Sequence, residues 1–132
     1  MGKYYDLGAA NARIEKLRPL LETLRSDRDA VAETQHRLEQ LRQPSSNGEH
    51  QSELDHRREK MATLIKRMEA AVHQIVGWDV TLRDISSGLV DFPALVNGRP
   101  IWLCWKLGEG EIAWWHELEA GIAGRKPLIE ME

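Results

Sequence analysis

The segment Trp115-His116-Glu117-Leu118-Glu119 is the strongest candidate for a site in this sequence of 132 residues. An imidazole with two nearby carboxylates is part of a ligand set for one divalent metal, so His116, Glu117 and Glu119 are the candidate metal residues. The pattern is not His-Glu-x-x-His, which needs a second histidine one helical turn on. His73 could serve as a distant partner if its helix end meets the sheet. Arg125 could bind an anion, or pair with Glu117 or Glu119. The competing reading has a buried His116 satisfied by a carboxylate and an Arg–Glu pair closing the fold.

Other groups are poorer candidates. Cys104 is the only cysteine, which rules out an intrachain disulfide and a zinc site built from cysteines. Strand counting places Asp91 across from Cys104, and a carboxylate beside a thiol raises its pKa and suppresses the thiolate. Lys106, two residues from Cys104, is a weak partner for it. Gly108-Glu-Gly-Glu is an acidic turn rather than a phosphate cradle. His36, His50 and His56 lack ligand spacing. No catalytic residues and no cofactor are therefore expected, with one divalent metal as the alternative.

The elements that must position these groups follow from periodicity. Apolar residues at Leu7, Ala10, Ile14, Leu17, Leu21, Leu24, Val31 and Leu38 form a heptad seam, with Arg28 and Gln35 as polar intrusions. This predicts a helix over 7–42, N-capped by Asp6 and kinked, or broken and restarted, near Pro19. A loop over 43–52 leads to a second helix over 53–76 with a seam of Leu54, Arg57, Met61, Leu64, Met68, Ala71 and Ile75, ended by Gly77. An antiparallel hairpin then places facing residues at numbers summing to about 92, so Leu38 meets Leu54, Val31 meets Met61 and Leu24 meets Met68.

Asn97-Gly98 is a two-residue hairpin signal, because both residues accept the positive φ of a type I′ turn. It pairs Val96 with Arg99 and, counting outward, Asp91 with Cys104. Val90, Phe92, Ala94, Ile101, Leu103 and Trp105 then share a core face. Pro93 lacks an amide donor, which suggests a sheet edge there. A third strand within Ile112–Glu117 puts Trp114 near Trp105 and Trp115 near Cys104, and Tyr4-Tyr5 or Val80–Leu82 could add another. The second face, carrying Asp91, Trp102, Cys104 and Trp115, is either covered by 118–128 or an interface.

The fold expectation is α+β: one domain over 1–132, with a long antiparallel two-helix hairpin, an antiparallel sheet of three or four strands within 79–117, and a C-terminal segment over 118–132. The first helix would be ~50 Å long at ~1.5 Å per residue, too long for a small sheet to cover. The arm is therefore expected to pair with a second copy or another protein through Leu21, Leu24, Val31, Leu38, Leu54, Met61, Leu64 and Met68.

The net charge of −3 argues against nucleic acid and anionic membranes. The helical half carries 13 Lys+Arg against 12 Asp+Glu up to Val76, and the sheet half 5 against 9. No apolar run approaches the ~20 residues of a membrane span. The start of the chain has no apolar signal core, so the cytoplasm is the expected compartment.

Gly88-Leu-Val-Asp-Phe-Pro-Ala-Leu, Trp102-Leu-Cys-Trp-Lys-Leu-Gly-Glu and the run from Glu111 to Leu128 resemble the bacterial family catalogued as domain of unknown function 2203. Ala10-Asn11 and Arg18-Pro-Leu-Leu-Glu are similar to its first helix. Tyr5-Asp6-Leu7-Gly8 departs from the usual Phe-Thr start. The resemblance implies the hairpin-plus-sheet fold and implies no reaction. From the residues, a noncatalytic interaction or self-associating module is the leading reading. A metal-binding protein or small enzyme around His116, Glu117 and Glu119 is the alternative.

Overall fold

A computed structural model describes residues 4–42 and 49–130. Two long helices, α1 (Leu7–Leu41) and α2 (Glu49–Gly77), precede a five-stranded antiparallel sheet. The strands are β1 (Thr81–Asp84), β2 (Leu89–Val96), β3 (Arg99–Trp105), β4 (Trp114–His116) and β5 (Lys126–Pro127). They pair in chain order, each with its neighbour in sequence. The α+β class is as expected, with one or two strands more than the expected three or four. Most of the loop expected over 43–52 lies outside the described residues, and α2 begins four residues before the expected 53.

Asp6 caps α1 as anticipated, its Oδ1 accepting the Ala9 amide at 2.7 Å. The helix runs through Pro19 without a break, which removes the restart near Arg18. Pro19 is exposed, so its ring and the missing amide cost no buried contact.

The seam of the arm drifts from the heptad. Leu17, Leu21 and Leu24 are buried as expected, but the next polar positions inside the seam are Asp27 and Thr34, while Arg28 and Gln35 are exposed. Leu21, Leu24 and Asp27 follow one another in two steps of three, where a heptad alternates three and four, so the stripe lies one residue early from there on. Arg67 answers the buried Asp27 through Nε and Nη2 at 2.7 and 2.6 Å. Nearer the tip, Arg37 binds Glu53 through Nε and Nη2 at 2.7 and 2.9 Å. These pairs sum to 94 and 90 in residue number, either side of the anticipated 92. Leu64 is buried, while Val31, Leu38, Leu54, Met61 and Met68 are half-buried.

Helix α2 ends at Gly77, as expected, but Gly77 is not the left-handed residue of the stop. Asp79 holds φ 60°, and the Val80 amide returns to the Ile75 carbonyl at 3.3 Å, so Asp79 supplies the left-handed residue of the stop. Asparagine and aspartate tolerate this conformation better than other non-glycine residues.

The β2–β3 register is the expected one from Val96↔Arg99 to Asp91↔Cys104 and on to Val90↔Trp105. Asn97 and Gly98 take φ 52° and 77°, as a type I′ turn requires. Val90, Phe92, Ala94, Ile101, Leu103 and Trp105 are all buried and pack with Ile14, Leu17, Leu21 and Ile75 of the helices. β1 covers only the first part of β2, so β2 is an edge at Pro93, as expected. The β1–β2 pairing stops at Thr81↔Asp91, short of Pro93, and shifts register between Leu82 and Asp84. The carbonyl of Pro93 accepts the Tyr5 amide at 2.7 Å instead, tying the start of the chain to the sheet.

Candidate functional site

β4 pairs one residue out of the expected register. Trp115 stands opposite Leu103, Trp114 opposite Cys104, and His116 opposite Trp102. Because side chains alternate, this slip exchanges faces. Trp115 joins the core, and His116 turns to the second face, where Asp91 and Cys104 already lie.

The result is a buried cluster. Asp91, Cys104 and His116 are 2%, 1% and 3% exposed. One ligand atom from each, a carboxylate oxygen, the thiol sulfur and a ring nitrogen, lies within 4.8 Å of the other two. His116 Nε2 is 3.0 Å from Asp91 Oδ2, and its Nδ1 is 2.8 Å from the Glu117 carbonyl. A carbonyl only accepts, so Nδ1 carries a proton. The carboxylate is also an acceptor, so a doubly protonated ring satisfies both neighbours. Arg83 Nε donates to the same Asp91 Oδ2 at 2.8 Å, while Oδ1 is buried without a hydrogen-bond partner.

Cys104 does not form an activated thiol. Burial, reinforced by the Asp91 carboxylate, pushes its pKa up to about 11. Both nitrogens of His116 are already engaged, so neither is left to take the thiol proton. Lys106 falls just beyond the end of β3.

The second face is covered by the C-terminal segment, as one of the two expectations had it. A cavity of about 340 Å³ remains between the cluster with Arg83 on one side and Leu118 to Ile122 on the other. Arg83 lies over the Trp102 ring at 5.0 Å, and Arg125 over Trp114 at 4.7 Å.

The candidate residues read from the sequence are distributed differently from the expected grouping. Of His116, Glu117 and Glu119, only His116 enters the cluster. The Glu117 carboxylate pairs with Arg99 at 2.9 Å, and its contribution to the site is the backbone carbonyl. Glu119 is exposed and lines the cavity. Arg125 does not pair with Glu117 or Glu119. Its Nη1 and Nη2 bind Glu109 at 2.9 and 3.0 Å, closing the turn after β3 against the segment before β5. His73 is exposed on α2 beside an open groove on the arm and does not reach His116.

Asp91 and Cys104 were legible as a cross-strand pair, but their meeting with His116 was not. The signal was the spacing of β4, which the turn after β3 leaves undetermined by one residue. The His116 neighbourhood is of the kind the competing sequence reading described, a buried imidazole satisfied by a carboxylate. An Arg–Glu pair also closes the fold, although its carboxylate is Glu109.

Among the described residues, no helix is long and apolar enough to cross a membrane. No curated protein and no solved structure matches the chain. The family model described as an uncharacterized conserved protein, DUF2203, matches residues 3–128, nearly the whole chain, and the protein belongs to that family.

Proposed function

We propose that the protein is a noncatalytic interaction module that self-associates through its helical arm. The observation that carries this reading is an apolar face of α2 that extends beyond its contact with α1. Leu64, Ala71 and Ile75 face inward and are buried. Ile65, Met68, Val72 and Val76 recur at intervals of three and four along an adjoining face, where they line an open groove of about 670 Å³ with Val31 of α1. Ile65 and Val76 are 42% and 61% exposed. Met68 and Val72 also pack against the core, so the apolar face of α2 is wider than α1 covers, and its Ile65 and Val76 border is left open.

A second copy is the occupant we favour. Lys66 and Glu69 bracket Met68 with opposite charges. A twofold antiparallel crossing near Met68 sets Lys66 of each copy beside Glu69 of the other, so the surface complements itself. Sedimentation velocity of the untagged protein at micromolar concentrations tests the proposal. The expected mass is twice 15.1 kDa, falling to the monomer value in Ile65→Glu/Val76→Glu with unchanged helicity. A wild-type monomer throughout that range overturns the reading.

A further inference from the structure

We propose that Asp91, Cys104 and His116 bind one divalent transition-metal ion, with zinc the best match to the set. This goes beyond self-association and rests on different residues. The three donors are a soft thiol, a borderline imidazole and a hard carboxylate, each of which zinc accepts in tetrahedral sites. Their ligand atoms are within 4.8 Å of one another, so closing to coordination distance needs side-chain adjustment rather than a change of fold. All three come from adjacent strands, β2, β3 and β4, whose pairing fixes the backbone beneath them.

Two further observations point to a ligand. Asp91 Oδ1 is a carboxylate oxygen buried without a hydrogen-bond partner, an arrangement that costs free energy unless something else meets it. The His116 ring is also held as a metal ligand is held. Its Nδ1 proton is donated to the Glu117 carbonyl at 2.8 Å, which leaves Nε2 as the coordinating atom once its own proton departs.

Arg83 is the main electrostatic opponent. It occupies Asp91 Oδ2 and leaves Oδ1 free, and its side chain is 42% exposed, so its charge is screened by water. A thiolate and a carboxylate together balance the two charges of the ion. Binding releases the Cys104 thiol proton and the His116 Nε2 proton to solvent. The cavity beside the cluster has room for water as a fourth ligand, with Glu119 also in its lining.

Cobalt(II) titration of chelator-treated, full-length protein tests the site, because a thiolate–cobalt bond gives a near-ultraviolet charge-transfer band. The expected result is a band that saturates at one equivalent and is displaced by zinc. Cys104→Ser is expected to abolish the band, and Asp91→Asn to weaken cobalt binding at least tenfold while circular dichroism shows both variants folded. No band in the folded wild-type protein overturns the proposal. A band that persists in Cys104→Ser overturns it as well. Since the wild-type result alone can refute it, a variant that fails to fold does not rescue the idea.

Discussion

Asp27 and Arg67 meet across the arm through two hydrogen bonds of 2.7 and 2.6 Å, although only one of them is buried. Asp27 is 3% exposed, whereas the Arg67 side chain is 58% exposed. The pair is therefore asymmetric. Removing the arginine strands a carboxylate inside the seam, while removing the aspartate releases an arginine to water. Arg67→Ala is expected to lower stability through the stranded carboxylate. Asp27→Leu, which completes the apolar stripe, should be neutral or stabilising. Urea unfolding of both variants checks this, and equal losses would contradict it.

Gly88 holds φ +66°, and a Cβ built there lies 2.5 Å from Cγ and Cδ1 of Leu107. Gly88→Ala combines backbone strain with a clash at the start of β2. The expected cost is about 2–3 kcal/mol, of which roughly 1 kcal/mol is the left-handed backbone. A Leu107→Ala background removes the two 2.5 Å clashes and leaves a 3.1 Å contact with the Cβ of residue 107, so most of the excess over the backbone part should vanish, and a double-mutant cycle by chemical denaturation measures the difference.

The register of β2 against β3 was legible because Asn97-Gly98 fixes the turn at two residues, and every later pair follows by counting. Nothing comparable pins β4. The connection from Lys106 to Ala113 is long enough to deliver Trp114 in either of two registers, and two adjacent tryptophans satisfy the apolar pattern both ways. One residue decided which face received His116, and with it the composition of the candidate site. The arm shows the same limit. Leu, Ile and Met mark the stripe, but whether Arg28 or Asp27 lies inside it depends on whether the step after Leu24 is four residues or three, which residue type does not tell. β5 left no readable pattern, since two residues cannot show an alternation.

Glu53 receives Arg37 and Arg57, and the hydrogen bonds from Arg37 are the main reason its pKa falls from 4.5 to about 2, against a smaller opposing effect of burial. A carboxyl whose pKa is lower in the folded state contributes stability above its unfolded pKa and loses it as pH falls through the folded value. The pair should therefore persist below pH 4.5 and open toward about pH 2. Carbon-13 titration of the Glu53 side chain is expected to show a midpoint near 2, moving toward 4.5 in Arg37→Gln. Added salt should weaken the effect, since the pair is exposed.

Asn11 Oδ1 accepts the Ile112 amide at 2.8 Å, joining the first turns of α1 to the strand connection that leads to β4. Asn11→Leu leaves that amide without its partner and is expected to cost about 1–2 kcal/mol. Asn11→Asp keeps an acceptor and should lose less. Hydrogen exchange at Ile112 distinguishes a local loss from a global one: its protection should fall more than that of Leu103.

The shape of the sheet's two borders has a consequence for solubility. On one side β1 is four residues long, charged at Arg83 and Asp84, and irregular between Leu82 and Asp84. On the other, β5 is two residues, a lysine and a proline that has no amide to offer. An unpaired strand border is a template on which another chain can add and propagate into aggregates, and short length, charge, irregular register and proline are the features that blunt it. A sheet rich in tryptophan thus presents no clean backbone ladder for a foreign strand. Crowding such molecules together should favour specific side-chain packing over runaway fibre growth.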